Sequence, residues 1–438
     1  MNLRSFFRFL LFLLLIIIHL TTVLKAQPVI TPDKPAGIYN SGETVKWTLQ
    51  KDSTINLESV RYTLKKGGLS VVDQGQIKFI NHQTTVNYTF QAPGTILLDV
   101  RWGSVDSWKN KVVGGAVADP DQLELNSPSP ADFDEFWESK LYELAEVPMN
   151  PILEKGEGGE KKVDYWKITM NNIRGSLIHG QIARPVKGKK LPALLILQWA
   201  GVYPLQKSWV IDQACEGWLV LNINPHDLPI DMESDFYRQQ SRGELRNYWA
   251  IGNDDRETSY FLRMYLSCYR AAKYLTERPD WNGKTLVVMG DSQGGQQALI
   301  TAGLHSDITA CLALVPAGFD MLGPEVGRKG GWPQWYDNTV GKDTARVRET
   351  SRYFDVAYFI PRIKCPVLVG VGLLDETCPP EGILAGLNQL SNPNEVMILP
   401  NSGHQDHRGS QEPYRLRRDK VWLPALRAGK KAPVNKKK

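Results

Sequence analysis

The chain has 438 residues, of which 42% are hydrophobic and 23% are charged. These fractions are close to those of average soluble proteins, so they exclude a largely disordered chain, a polytopic membrane protein and a collagen-like fibre. The formal net charge is +5. The basic residues at the two ends of the chain carry more positive charge than this, so the body between them is near neutral or slightly acidic. Nucleic acid is therefore not an expected partner.

Residues 1–26 have the pattern of a secretory signal peptide. Two arginines precede the apolar run Phe9–Ile18, and Ala26 offers a small residue at a cleavage point before Gln27. The run is shorter than the roughly 20 residues that cross a bilayer. We therefore expect cleavage, a secreted or periplasmic protein and no stable membrane insertion afterwards; an uncleaved anchor is the alternative.

Residues 27–119 are predicted to form a small all-β sandwich domain. Apolar residues alternate with polar ones, as at Val45, Trp47 and Leu49, and glycine pairs and Pro-Gly separate the runs. The segment carries no cluster of acids, histidines or cysteines, so no catalytic site is expected there.

Residues 120–426 change to an α/β pattern. Continuous apolar runs alternate with helical stretches, which predicts a mostly parallel sheet covered on both faces. The predicted strands are Ala193–Trp199, Trp218–Ile223, Thr285–Met289, Cys311–Val315, Pro366–Leu373 and Val396–Leu399, and the clearest helices are Glu257–Arg278 and Gln296–Leu304. Residues 427–438 are predicted to be a disordered basic tail.

Two long segments, Pro225–Asp255 and Gly318–Pro361, interrupt this alternation. Both are rich in Gly, Trp, Tyr and Arg, and long insertions in a compact domain are usually lids or binding loops. Four aromatic residues in and near these regions are candidate stacking surfaces for a ligand, and core packing is an equally good interpretation of each. They are Trp199, Trp332, Trp335 and Tyr336.

The motif with the clearest chemistry is Gly290-Asp291-Ser292-Gln293-Gly294, between the predicted strand Thr285–Met289 and a helix. This is the G-x-S-x-G nucleophile elbow in the strand–turn–helix setting of α/β-hydrolases. The tight turn requires small neighbours and places the serine hydroxyl at the carboxyl edge of the sheet, near the positive end of the helix. We predict Ser292 as the nucleophile.

A serine nucleophile needs a base and an acid that orients the base, in the chain order Ser, Asp or Glu, His. Asp375 follows the predicted strand Pro366–Leu373, and His404 follows Val396–Leu399. Glu376 and His407 are their rivals. The other histidines have no triad context, although His226-Asp227 is notable because it ends a strand at the start of a long insertion.

The oxyanion hole is expected to use two backbone N–H groups. One belongs to Gln293, the residue after the nucleophile, and the other to Val202, in the loop after Ala193–Trp199. The five cysteines show no C-x-x-C spacing, so they are predicted to be ordinary buried thiols. No cofactor and no metal are predicted.

The sequence resembles the acetyl xylan esterase / cephalosporin C deacetylase family of α/β-hydrolases over about residues 120–425. The resemblance lies in the first helix at Asp132–Trp137, the stretch Leu197–Val202, the Ser-Gln-Gly-Gly core, the run Leu374–Pro380 and Gly403-His404. It implies Ser292 as nucleophile, Asp375 as orienting acid, His404 as base, and Val202 and Gln293 as oxyanion donors. It also implies metal-independent removal of acetyl groups from xylo-oligosaccharides and related small esters, by an enzyme that forms a homo-oligomeric ring.

Three features depart from the family pattern. Where the family has Arg-Gly-Gln, this chain has Asn224-Pro225-His226-Asp227-Leu228, and Gln405 replaces the Glu that follows the catalytic His. The N-terminal β-domain is an addition to the family core and argues against the family's ring-like oligomer. The prediction is a secreted serine esterase that deacetylates plant-type polysaccharide or oligosaccharide. The alternatives are a triad hydrolase acting on another bond (a peptidase or a glucuronoyl-type esterase) and a non-catalytic carbohydrate-binding protein.

Overall fold

The structure is a computed structural model that describes residues 27–53, 56–103, 110–339 and 341–435. The predicted signal peptide lies outside these residues. Within them, no helix is both long enough and apolar enough to cross a membrane.

The N-terminal region is built from two β-sheets that enclose one core. A three-stranded antiparallel sheet has the order β1-β3-β6, and a five-stranded sheet has the order β2-β8-β7-β4-β5. Side chains from both sheets, among them Val45, Trp47 and Leu98, are buried between them, which is the sandwich that the alternating pattern predicted. Its strands are β1 (Val29–Pro32), β2 (Ile38–Tyr39), β3 (Thr44–Gln50), β4 (Ser59–Lys66), β5 (Ser70–Lys78), β6 (Gln83–Thr89), β7 (Gly94–Arg101) and β8 (Lys111–Ala118).

The rest of the chain forms a nine-stranded sheet in the order β17-β16-β15-β14-β12-β13-β11-β10-β9. Strands β12 to β17 run parallel, and β9 to β11 extend one edge as an antiparallel meander. The strands are β9 (Ile152–Gly156), β10 (Val163–Asn171), β11 (Leu177–Pro185), β12 (Leu191–Leu197), β13 (Leu219–Ile223), β14 (Trp281–Asp291), β15 (Ala310–Leu314), β16 (Val367–Gly372) and β17 (Asn394–Leu399).

Helices cover both faces of this sheet. They are α1 (Phe133–Ala145), α2 (Ser208–Cys215), α3 (Ser234–Arg242), α4 (Tyr260–Glu277), α5 (Gln293–Leu304), α6 (Thr344–Phe354), α7 (Pro380–Leu387), α8 (Glu412–Leu416), a π-helical turn (Arg417–Trp422) and α9 (Leu423–Arg427). Short 3-10 turns lie at Pro120–Gln122, Ile173–Gly175, Tyr248–Ala250, Gly323–Val326, Val356–Tyr358 and Ile360–Arg362.

Most positions of the parallel strands are apolar because each face of the sheet has its own core. Along β14, Val288 belongs to the core under α1, α4 and α5, whereas its neighbour Val287 belongs to the core under α2 and α9. Successive side chains of a strand point to opposite faces, so a strand buried on both sides is apolar at most of its positions. The α/β-hydrolase fold class with a preceding β-sandwich is confirmed.

Helix α1 begins at Phe133, directly after a turn in which the Pro130 carbonyl accepts a bond from the Phe133 N–H. One feature at the other end of the chain differs from expectation. The predicted disordered tail makes contacts as far as Asn435, whose N–H donates to the Glu395 carboxylate at 3.2 Å. The basic composition of the tail did not indicate that Glu395, on β17, would accept a hydrogen bond from it.

Candidate active site

The elbow lies where strand β14 meets helix α5. The strand ends at Asp291 and the helix begins at Gln293, so Ser292 alone makes the turn, with φ 57° and ψ −120°. A positive φ is uncommon and costly for a residue with a side chain, and such strain concentrates at active sites. The Ser292 N–H donates to the Leu314 carbonyl of β15 at 2.9 Å, which fixes the turn to the sheet.

The glycines of the motif are required by close backbone contacts. A Cβ on Gly290 would lie 2.4 Å from the Gly294 backbone, and a Cβ on Gly294 would lie 2.3 Å from the Leu197 carbonyl oxygen. Backbone atoms at these distances cannot yield without moving the helix or the strand. The two glycines therefore let helix α5 start directly against the end of β12.

Three side chains from separate parts of the chain meet at this turn. The Ser292 hydroxyl lies 2.9 Å from His404 Nε2, and His404 Nδ1 lies 2.8 Å from Asp375 Oδ2. Each residue follows the carboxyl end of a parallel strand, namely β14, β16 and β17, and these ends share one edge of the sheet. The structure thus brings together the three residues that the sequence singled out.

Asp375 is held in one orientation. Its side chain is buried, and Oδ1 accepts the N–H groups of Thr377 and Cys378, both at 2.8 Å, which leaves Oδ2 for His404. The rival Glu376 points elsewhere and pairs with Lys111 of the N-terminal β-region. Asp375 and the sandwich are therefore connected through the adjacent Glu376.

The loop that carries His404 is fastened to the elbow by a polar chain. The Gln411 amide donates to the His404 carbonyl at 3.2 Å, Arg415 donates to Gln411 at 3.2 Å, and Arg415 lies 3.4 Å from the Asp291 carboxylate. The rival His407 is exposed. Residues next to Ser292 thus help to set the position of the imidazole.

The two predicted oxyanion donors come from helix α5 and from the loop after β12. Gln293 is the first residue of α5, where the helix leaves N–H groups without intrahelical acceptors. Val202 lies in the loop after β12, and the start of this loop is bound to the helix because the Gln297 amide donates to the Gln198 carbonyl at 3.0 Å. Loop and helix N-terminus therefore form one unit.

Asp375, Cys378 and His404 also place potential metal-ligand atoms within 4.8 Å of one another. Their chemistry does not favour a metal. Both carboxylate oxygens of Asp375 already accept hydrogen bonds, and burial raises the pKa of the Cys378 thiol well above its ordinary value. Because the thiolate is the form that binds metals, the cluster is better described as an acid–base pair beside a neutral thiol.

The aromatic candidates separate into two classes. Trp335 is fully buried; its indole N–H donates to the Trp249 carbonyl at 2.7 Å and its ring packs on Phe261 and Phe354. Its interpretation as a sugar-stacking surface is therefore wrong, because no face of the ring is open to a ligand. Trp199, by contrast, is 44% exposed beside the elbow and stacks on Tyr203 at 5.4 Å.

Trp332 and Tyr336 are intermediate. The Trp332 N–H donates to the Thr377 carbonyl at 2.9 Å, which attaches the second insertion to the loop that carries Asp375. Tyr336 has the Arg348 guanidinium 3.7 Å above its ring, so this cation already covers one ring face. Of the two, Trp332 is the one attached next to the candidate triad.

Two residues that contact the loop beside the elbow belong to none of the sequence motifs. Tyr248 and His226 come from the first insertion and contact the loop after β12. Only the position of His226-Asp227 at the end of a strand gave any indication, and Tyr248 gave none.

Comparison with known proteins places this geometry in context. A family model described as acetyl xylan esterase (AXE1) matches residues 121–418. The chain is 30% identical to the acetyl esterase Axe7A of Xylanibacter ruminicola over 384 residues, which cover 85% of each protein.

Solved structures agree in fold. Acetyl xylan esterase 1 from Thermoanaerobacterium sp. JW/SL YS485 superposes with a TM-score of 0.57 at 21% identity, covering 68% of this chain and 95% of that one. The acetyl xylan esterase of Paenibacillus sp. R4 gives a TM-score of 0.59 at 23% identity, covering 70% and 98%. In both comparisons the solved protein is matched almost entirely, and about 30% of this chain lies outside the match.

Proposed function

The chain belongs to the acetyl xylan esterase (AXE1) family and is a carboxylic ester hydrolase, and from this premise we propose that it removes acetyl groups from plant-type polysaccharide or oligosaccharide through Ser292, His404 and Asp375. The observation that carries the proposal is the continuous hydrogen-bonded line of these three side chains, at 2.9 and 2.8 Å. A hydroxyl in this arrangement becomes a nucleophile because the imidazole removes its proton as it attacks.

In the acylation half, Ser292 Oγ attacks the acetyl carbonyl carbon while His404 Nε2 takes the hydroxyl proton. Asp375 keeps the other imidazole nitrogen protonated and stabilises the imidazolium that forms. The N–H groups of Gln293 and Val202 bind the oxyanion; such donors typically contribute roughly 3–4 kcal/mol to the transition state. His404 then protonates the leaving sugar oxygen, and the acetyl-enzyme remains.

In the deacylation half, the same groups act on water. His404 takes a proton from water as the oxygen attacks the acetyl carbon, and the collapse of the second oxyanion returns the proton to Ser292 Oγ and releases acetate. Apart from water, these two half-reactions need no group beyond the residues named above.

The experiment that tests this proposal is acetate release from a panel of acetylated xylan, pectin and mannan, with a peptide amide and a methyl glucuronate ester included. The proposal predicts acetate from at least one acetylated polysaccharide at a rate well above that from the other bonds. Preferred cleavage of the amide or of the glucuronate ester, with no acetate released, would contradict it.

Trp199 is proposed as a sugar contact because its indole is exposed beside the elbow. Covering about 50 Å² of the ring at about 25 cal/mol per Å² contributes roughly 1 kcal/mol, or about five- to tenfold in affinity. Trp199→Ala should therefore raise KM for an acetylated xylo-oligosaccharide by this factor, and by a smaller one for p-nitrophenyl acetate. Tyr142→Ala, which removes an exposed ring on α1, is the matched control. Equal KM changes for both substrates would refute the assignment.

Export is part of the proposal and rests on the composition of residues 1–26. The protein recovered from the medium or periplasm of its host would begin at Gln27, and a mass that includes the leader would point to an uncleaved anchor.

A further inference from the structure

We infer that His226 and Tyr248, from the first insertion, are positioning residues that hold the Val202 and Gln293 N–H groups in the geometry of the oxyanion hole. The inference rests on the proposed function of Ser292. It assigns a task to the segment that stands where the family has Arg-Gly-Gln.

His226 controls the direction of the Val202 N–H through one peptide unit. Its Nε2 lies 2.9 Å from the Gly201 carbonyl oxygen, and this carbonyl belongs to the same planar peptide group as the Val202 N–H. In a trans peptide the C=O and the N–H lie in one plane and point in opposite directions. A carbonyl fixed on the imidazole therefore aims the N–H of Val202 away from His226.

The hydrogen-bond partners of His226 determine its tautomer. A carbonyl can only accept, so Nε2 carries the proton, and Nδ1 accepts from the Tyr260 hydroxyl at 2.6 Å. The backbone N–H of His226 donates to Asn224 Oδ1 at 3.0 Å, and the His226 side chain is buried. Burial lowers the pKa of His226 to about 4, so the ring stays neutral where esterases are normally assayed.

Tyr248 connects the two halves of the predicted hole. The Gly201 N–H donates to the Tyr248 hydroxyl oxygen at 3.3 Å, and the hydroxyl hydrogen is donated to the Gln293 side-chain carbonyl. One hydroxyl thus joins the loop before Val202 to the residue that supplies the other donor. The centroids of the His226 and Tyr248 rings are 4.6 Å apart in a T-shaped arrangement, so the two residues support each other.

Both polar groups of Gly201 are therefore bound by the insertion. Gly201 has φ +132°, and a Cβ there would lie 3.0 Å from the Tyr203 ring. A glycine in this region has the least intrinsic backbone preference of any residue, so its conformation must be set from outside. The two hydrogen bonds supply that constraint.

Tyr248→Phe tests the inference because it removes only the hydroxyl. A misplaced oxyanion donor affects the transition state more than the bound substrate. We expect kcat and kcat/KM for p-nitrophenyl acetate to fall together, by roughly 10- to 100-fold, with KM little changed and Ser292 still labelled one-to-one by a fluorophosphonate. His226→Ala should behave in the same way, and His226→Gln, whose amide can donate to Gly201, should recover part of the lost rate.

Tyr237→Phe is the matched control. Tyr237 is a buried tyrosine of the same insertion whose hydroxyl contacts only the backbone of Pro229 and Met232 among the described residues. Tyr237→Phe should lower the melting temperature without changing kcat per labelled site. If Tyr248→Phe does the same, the residue is merely structural and the inference is wrong. Loss of the rate in Ser292→Ala with no effect in Tyr248→Phe would leave the proposed function intact, whereas retained activity in Ser292→Ala would remove both.

Discussion

Ser292→Ala is expected to lower kcat for p-nitrophenyl acetate by roughly 10⁴- to 10⁶-fold, the range in which removal of a triad nucleophile leaves only binding and oxyanion stabilisation. The physical reason is that, among the described residues, Ser292 Oγ is the hydroxyl hydrogen-bonded to His404 Nε2, at 2.9 Å. Initial rates at saturating substrate, with the melting temperature of the variant, check this result.

Ser306→Ala is the control for this change. Ser306 is an exposed serine just beyond the end of α5, and its replacement should leave kcat within twofold. Activity at the wild-type rate in Ser292→Ala, in protein that melts normally, would mean that the hydroxyl at the elbow is not the nucleophile.

Asp375→Asn should have the second-largest effect, a loss of roughly 10⁴-fold in kcat. The Asn amide can donate to His404 Nδ1 where the carboxylate accepted from it, so the imidazole would carry its proton on Nε2 and could not act as a base toward Ser292. Asp375 Oδ1 binds the N–H groups of Thr377 and Cys378, and the Asn carbonyl oxygen can keep these bonds. Circular dichroism and melting should therefore show a folded but inactive protein.

Glu376→Gln distinguishes the contribution of Glu376 to turnover from that of the neighbouring Asp375. The Glu376 carboxylate pairs with Lys111 and not with His404, so its neutralisation should change kcat by less than a few-fold. If Glu376→Gln instead abolishes turnover while Asp375→Asn does not, the assignment of the orienting acid is wrong.

Much of the central sheet could be predicted from sequence because its strands are buried on both faces. Runs such as the one around Val288 have no polar positions, and their boundaries were predicted to within a few residues. The antiparallel strands β9 to β11 were not predicted. Exposed Ile152 and Leu153 lie among polar residues on β9, so no buried pattern marks this outermost strand.

The predicted triad could be found from sequence because each member follows a strand end and the elbow requires particular glycines. The aromatic residues were harder to interpret, since burial of a ring depends on tertiary contacts. Nothing local distinguishes Trp335, which is enclosed by other rings, from the exposed Trp199. Tyr248 was missed for the same reason, because its partners Gly201 and Gln293 are both more than 40 residues away along the chain.

The most direct measurement of the central claim is the site of covalent modification. The protein is incubated with a fluorophosphonate, or quenched rapidly during turnover of an acetyl ester, and its peptides are mapped by mass spectrometry. The account predicts one adduct per chain, on the peptide that contains Ser292, and its absence in His404→Ala under the same conditions. Continued ester hydrolysis with Ser292 unmodified, or with the adduct on another residue, would contradict it.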